Sequence, residues 1–212
     1  RQSRYRLPAE TVRDSTLSIG GILVRHVGGA SIKPHQPSGY YRNLNFPTRT
    51  YQADLGARQY RRGVYFHWQR QFLHPMLKAM DAPSREECTA QRPRSNTPLE
   101  ALVMLNDPSQ VDAAIALAAR MLRPASGTVA ERVAAAFQLA VSRNPDAHEL
   151  RALTGLLRSE RKHFQDHPSD AKALIESADK FIDFAVADCV ELAAWTSVAR
   201  AMLNMYETVS RS

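Results

Sequence analysis

The second half of this chain repeats one signal, and that signal leaves little choice of fold. A residue able to cap a helix is followed, again and again, by apolar residues at helical spacing. In TPLE, Thr97 can take up a free N–H of the first turn, Pro98 suits the first helical position and Glu100 completes a capping box. Asp107 then caps a helix that opens at Pro108 and carries Val111, Ile115, Ala118 and Leu122 on one face. Gly127 breaks it, and Thr128 with Glu131 forms another capping box ahead of Val133, Phe137 and Ala140. Asn144-Pro145 starts a helix marked by Leu150, Leu153, Leu157 and Phe164, which Pro168 ends. A short helix over residues 170–177 follows. Asp188 and Glu191 form the last capping box, with Leu192, Trp195, Val198, Ala199 and Met202 inward. The expected class is all-α, with a helical bundle over residues 97–212.

Residues 1–96 read differently, as a loop-rich half of the same single domain. After Pro8, AETVRDSTLSIGGILVRH suits a helix with Val12, Ile19 and Leu23 inward, weakened by Gly20-Gly21. From Gly28 to Tyr60 dense Gly and Pro punctuation predicts irregular loop, packed by Tyr40, Tyr41, Phe46 and Tyr51. The stretch RRGVYFHWQRQFLHPML is ambiguous between helix and strand, and is read as helix over residues 64–73.

Charge divides the halves too. Residues 1–95 hold 14 Arg and 2 Lys against 6 acids, whereas residues 96–212 hold 9 Arg and 3 Lys against 15 acids. Arg outnumbers Lys by 23 to 5, and Arg is the residue of planar pairing and of stacking on aromatics. The first reading is internal: Arg–acid and Arg–aromatic pairs that organise the loops. The other is an anionic partner.

The sequence names no reaction. It lacks G-x-S-x-G, P-loop, G-x-G-x-x-G and H-E-x-x-H motifs. No apolar run approaches the roughly 20 residues of a membrane helix. Absence of CxxCH means that no covalently bound haem of the usual type is expected in this segment, and no metal site is expected either. His163 and His167 share a helix face but sit at its end beside Pro168. Cys88 could act as a nucleophile with Arg85 or Arg92 lowering its pKa and His67 or His74 as base, but buried thiols or one disulfide with Cys189 are the plainer expectations.

Two stretches carry the candidate site. Tyr60, Arg61, Arg62, Tyr65 and Trp68 mix cations with aromatics, the chemistry of sugar stacking, of single-stranded nucleic acid, or of an aromatic mini-core. Asp81, Arg85, Glu86, Glu87, Arg92, Arg94 and Asn96 form a dense charged corner. Its plain role is a buried Arg–carboxylate network at the junction of the halves. Its alternative roles are a pocket of Arg forks reading sulfate, phosphate or uronate, or a polysaccharide-cleaving site with Glu86, Glu87 or Asp81 as acid or base.

In order, GGASIKPHQPSGYYRNLNFPTRTYQ, YRRGVYFHWQRQFLHPML, DAPSREECTAQRPRSNTPLEALVMLNDP and ELAAWTSVARAMLNMYET resemble one family. It is the planctomycete-specific domain of unknown function found at the C-terminal end of planctomycete cytochrome c-domain proteins. Small departures are Ala30, Cys189 and NMYET, where GGPS, a helix-starting Pro and NLDET are common. The resemblance transfers no catalytic residue. It implies a piece of a larger exported protein, in the periplasm or cell envelope, with any haem on an upstream domain. Its partners would be those upstream domains and an anionic polysaccharide, with nucleic acid disfavoured. The opening RQSRYRLPAE, without Met or a signal segment, fits that expectation.

Overall fold

The computed structural model describes residues 5–42, 50–69, 72–95, 97–123, 127–182 and 188–211. The fold is all-α. Strand β1 (Tyr5–Arg6) precedes α1 (Ala9–Gly20), and a long irregular stretch then leads to α2 (Pro75–Ala79). Next come α3 (Pro98–Asn106), α4 (Pro108–Leu122), α5 (Val129–Val141) and α6 (Ala147–Asp166). Then follow α7 (Pro168–Glu176), α8 (Cys189–Leu203), α9 (Tyr206–Val209) and β2 (Ser210–Arg211). β2 pairs antiparallel with β1, Tyr5 opposite Arg211 and Arg6 opposite Ser210.

Local chemistry sets most helix starts. Asp107 accepts from the Ser109 N–H at 3.0 Å, and Thr128 and Glu131 exchange bonds with each other's backbone N–H at 3.2 and 2.7 Å. The helix expected from Asn144-Pro145 is capped two residues later. Asp146 takes the His148 and Glu149 N–H groups, both at 2.7 Å, and Glu149 returns to the Asp146 N–H. Pro168 does end α6, but it also opens α7 at its first position. Asp188 caps α8 as expected, whereas the Glu191 carboxylate turns away to Arg161 and Trp195.

Helix α4 is the axis of the molecule. It is buried nearly all round, packed on α8 along one side and on α1 along another. Ala113, Ala114, Ala118, Ala193, Ala194 and Ala199 keep the facing surfaces small, so the helices approach closely around Ile115, Leu117, Trp195 and Val198. The α1–α4 crossing is closest at Gly20, where a Cβ would sit 2.7 Å from the Ala113 carbonyl oxygen. Gly21 then ends α1 at φ +84°. So the helix stops at Gly20 rather than running on through Leu23 as its apolar spacing suggests.

The helix expected over residues 64–73 does not form among the described residues of that span. Residues Gly63–Tyr65 make one 3-10 turn, and Phe66 then runs extended beside Ile32. The Ile32 N–H donates to the Tyr65 carbonyl at 2.7 Å, and the His67 N–H donates to the Ile32 carbonyl at 2.7 Å. Pro75 instead opens α2 and keeps His74 extended. Tyr40, Tyr41, Tyr51 and Phe72 do pack as an aromatic cluster, with ring centroids 5.3 to 6.2 Å apart. Phe46 lies outside the described residues.

Arginines complete what the loops lack. Arg13 lies in the buried stripe of α1 and is itself fully buried. It donates to the carbonyls of Arg61, at 2.9 Å, and Gln59, and its guanidinium covers the Phe66 ring. Arg61 gathers the carbonyls of His26, Gly28 and Ala30 and stacks on Tyr65. At the junction of the halves, buried Arg6 donates to Glu100 (2.7 Å), Asp81 (2.8 Å) and the Met80 carbonyl. The Ser95 N–H and hydroxyl close the corner on Asp81.

Replacing Arg6 with Ala would leave Asp81 and Glu100 as partly and fully buried carboxylates without their cation. The expected cost is roughly 3–5 kcal/mol in urea denaturation. Arg85→Ala, on the exposed stretch, should cost about 1 kcal/mol or less. Equal costs would contradict the assignment of Arg6 as the corner's pin.

Candidate functional site

The residues expected to form one cleft occupy several places. Tyr60 is buried against α4: its hydroxyl donates to Asp112 at 2.8 Å, and its ring stacks on Phe181. Arg61 is committed to carbonyls, and the Tyr65 hydroxyl accepts from the Gly28 N–H. Trp68 meets the charged corner through Arg85, whose guanidinium lies 3.9 Å from the ring centroid. Arg94 covers Tyr5, and Arg92 pairs with Glu10 at 2.9 Å. Asp81 belongs to the Arg6 network. Burial works against its charge, but Ser95 and then Arg6 hold its carboxyl below the usual range. Glu86 and Glu87 lie on the exposed stretch, and Asn96 falls outside the described residues. A cavity of about 220 Å³ remains beside Asp81, Arg92 and Arg94.

Thus the buried Arg–carboxylate network expected at the corner exists, but its cation is Arg6 and its acids are Asp81 and Glu100. Both cysteines are free and exposed, correcting the expectation of buried thiols or a disulfide. Three of the groups expected to serve Cys88 are engaged elsewhere. Arg85 lies on Trp68, Arg92 on Glu10, and His74 Nε2 lies 2.9 Å from the His35 carbonyl oxygen. His163 and His167 stack at 4.9 Å, with Asp170 3.9 Å from His163. Among the described residues, no group of three or more His, Cys, Asp or Glu is placed to hold a metal ion.

A larger groove lies elsewhere, about 680 Å³ between α1, the end of α5 and the α9–β2 segment. Such a volume suits a small ligand. Its floor is the outward stripe of α1, where Thr11, Asp14, Ser15 and Ser18 recur at helical spacing. Asp14 accepts from the Gly63 N–H at 2.7 Å and lies 3.9 Å from Arg13. Burial pushes its carboxyl above the usual range, against that N–H and the charges of Arg13 and Arg62. Arg62 and Arg211 line the groove, both exposed, and neither makes an ion pair with a described residue. Glu207, on the same wall, is held by Arg143, which also grips Glu149 and pulls that carboxyl down to about 2. Of the residues singled out from sequence, Arg62 is the one that lines this groove. The hydroxyl-and-acid stripe of α1, opposite its buried stripe, was the signal for the rest.

Fold and groove define an all-α domain in which buried arginines tie a loop-rich half to a helical bundle, with an open polar groove along the first helix. The chain belongs to the PSD1 family, proteins of unknown function (DUF1553), whose model matches residues 1–157. That span takes in α1, the loops, the corner and the bundle as far as the middle of α6. Comparison with curated proteins and with solved structures finds no match.

The burial of Asp112 makes stability pH-dependent. Burial pushes the Asp112 carboxyl up to about 6, despite the bonds from Tyr60 and the Asp179 N–H. Between the ordinary value of 3.8 and about 6, the folded chain keeps a proton that the unfolded chain has released. The contribution is full below that window and is lost as pH rises through about 6, a swing of roughly 3 kcal/mol. Relative to wild type, Asp112→Asn should therefore gain stability as pH rises from 4 to 7. A difference that stays flat over that range would contradict the assignment.

Proposed function

We propose that the chain is a non-catalytic binding or docking module of a larger exported, redox-associated cell-envelope protein, and that its groove along α1 takes an anionic glycan. The observation that carries the reading is the pair Arg62 and Arg211, guanidinium groups that make no ion pair among the described residues, on the wall of this groove. Arginine forks suit carboxylate and sulfate, and the α1 hydroxyls suit sugar hydroxyls. No aromatic ring lines this groove among the described residues, which disfavours stacked bases. None of the described helices is long and apolar enough to cross a membrane. Any haem would sit on an upstream domain, and the neighbouring domains of the same polypeptide are the other partners.

A second reading, catalysis on polysaccharide, is favoured by one observation: two carboxyl groups, Asp14 and Glu207, line the same groove, and burial raises that of Asp14, as a general acid requires. The clamp of Arg143 on Glu207 argues for binding alone.

Calorimetric titration with uronic, sulfated and neutral tetrasaccharides tests the proposal. Binding should be selective for acidic ligands and persist at 150 mM salt, where the screening length is about 8 Å. Arg62→Ala and Arg211→Ala should each weaken it about tenfold without lowering the melting temperature. Binding indifferent to both substitutions would sink the groove as the site, and release of reducing ends would favour the catalytic reading.

A further inference from the structure

We infer that the groove is one lobe of a longer trough built for a linear acidic oligosaccharide, several rings long, rather than for a single acidic sugar. The inference rests on the glycan reading and specifies its ligand. A second lobe of about 620 Å³ lies along the end of α1, and Ser18 and Leu23 line both lobes. From Thr11 in the first lobe to Gly21 in the second, the chain advances about 15 Å at helical rise.

The second lobe has the same two kinds of group as the first. Its free cation is Arg123, exposed at the C-terminal end of α4 and without an ion pair among the described residues. The neighbouring Arg120 is not free, since its guanidinium donates to the Ile19 carbonyl and closes the end of α1. The lobe adds a platform, Phe181, whose ring is 43% exposed yet fixed by stacking on Tyr60 at 5.4 Å and 20°. A rigid, partly exposed ring suits the apolar face of a sugar. Cations at both ends, with the Ser18 hydroxyl between, match charges repeated along a chain. A nucleic acid strand would call for successive stacking rings, and Phe181 is the single aromatic lining either lobe among the described residues.

Oligogalacturonates and heparin-derived oligosaccharides, each from disaccharide to hexasaccharide, separate this inference from the reading beneath it. Calorimetry on the full chain should show affinity rising at least tenfold between disaccharide and tetrasaccharide in one of the two series. Arg123→Ala and Phe181→Ala should abolish that rise while leaving disaccharide affinity unchanged, and Arg62→Ala should weaken every length. Melting curves and circular dichroism check that the variants stay folded. Affinity that depends on Arg62 but is flat with length overturns the trough and leaves the groove reading standing. No binding at any length, or tighter binding of a single-stranded oligonucleotide of equal charge, overturns both.

Discussion

A buried guanidinium with backbone carbonyls for partners is the contact on which the loop-rich half depends. Between Gly21 and Thr97 the chain has few helices to satisfy its own backbone, and an unsatisfied buried carbonyl is costly. Arg13 projects from the stripe of α1 that faces the interior, at a position where an apolar residue would ordinarily sit. It bonds the carbonyls of Gln59 and Arg61, so the first helix becomes the anchor for a segment nearly 50 residues away in sequence. Burial pushes its guanidinium down from the ordinary value, opposed by the charges of Asp107 and Asp14. Cation–π contact with Phe66 adds the third side of its cage.

The same device recurs through the molecule. Arg61 gathers three carbonyls of the 26–30 turn, Arg120 takes that of Ile19, and Arg200 takes that of Leu105. This explains why the chain uses Arg far more than Lys. A planar fork can bond two acceptors while its face lies on an aromatic ring, which an ammonium cannot. It also explains why the dense charged corner is mainly structural. Arg6, Asp81, Ser95 and Glu100 consume one another's hydrogen bonds, while the exposed stretch from Ser84 to Arg94 is draped outside them. Arg62 and Arg211, which pair with no acid among the described residues, line the groove along α1 and give it its charge.

What the sequence displayed plainly was whatever is local. The caps at Asp107, Thr128 and Asp188 act on N–H groups two or three residues away, so their spacing is visible in the chain itself. Arg6 meets Glu100 across 94 positions, and no spacing rule connects them. The segment Gly63–Phe66 misled for a related reason. Its apolar residues fit a helix locally, but its backbone pairs with Ile32, a partner set by tertiary packing. Of the groove, the floor was legible as a polar stripe at i, i+3, i+4 and i+7, and Arg62 was singled out. The opposite wall comes from α5 and β2, more than a hundred residues on, which only the fold brings together.

Hydrogen exchange on Arg13→Lys tests most directly the claim that carbonyl-seeking arginines hold the loop-rich half. The substitution keeps the charge and removes the fork. If the claim holds, the amides of Val24, Ile32, Tyr65 and His67 exchange faster, while those of Ile115 and Leu117 in α4 and Trp195 in α8 keep their protection. Unchanged exchange at the loop amides, or an equal loss in both regions, would contradict it.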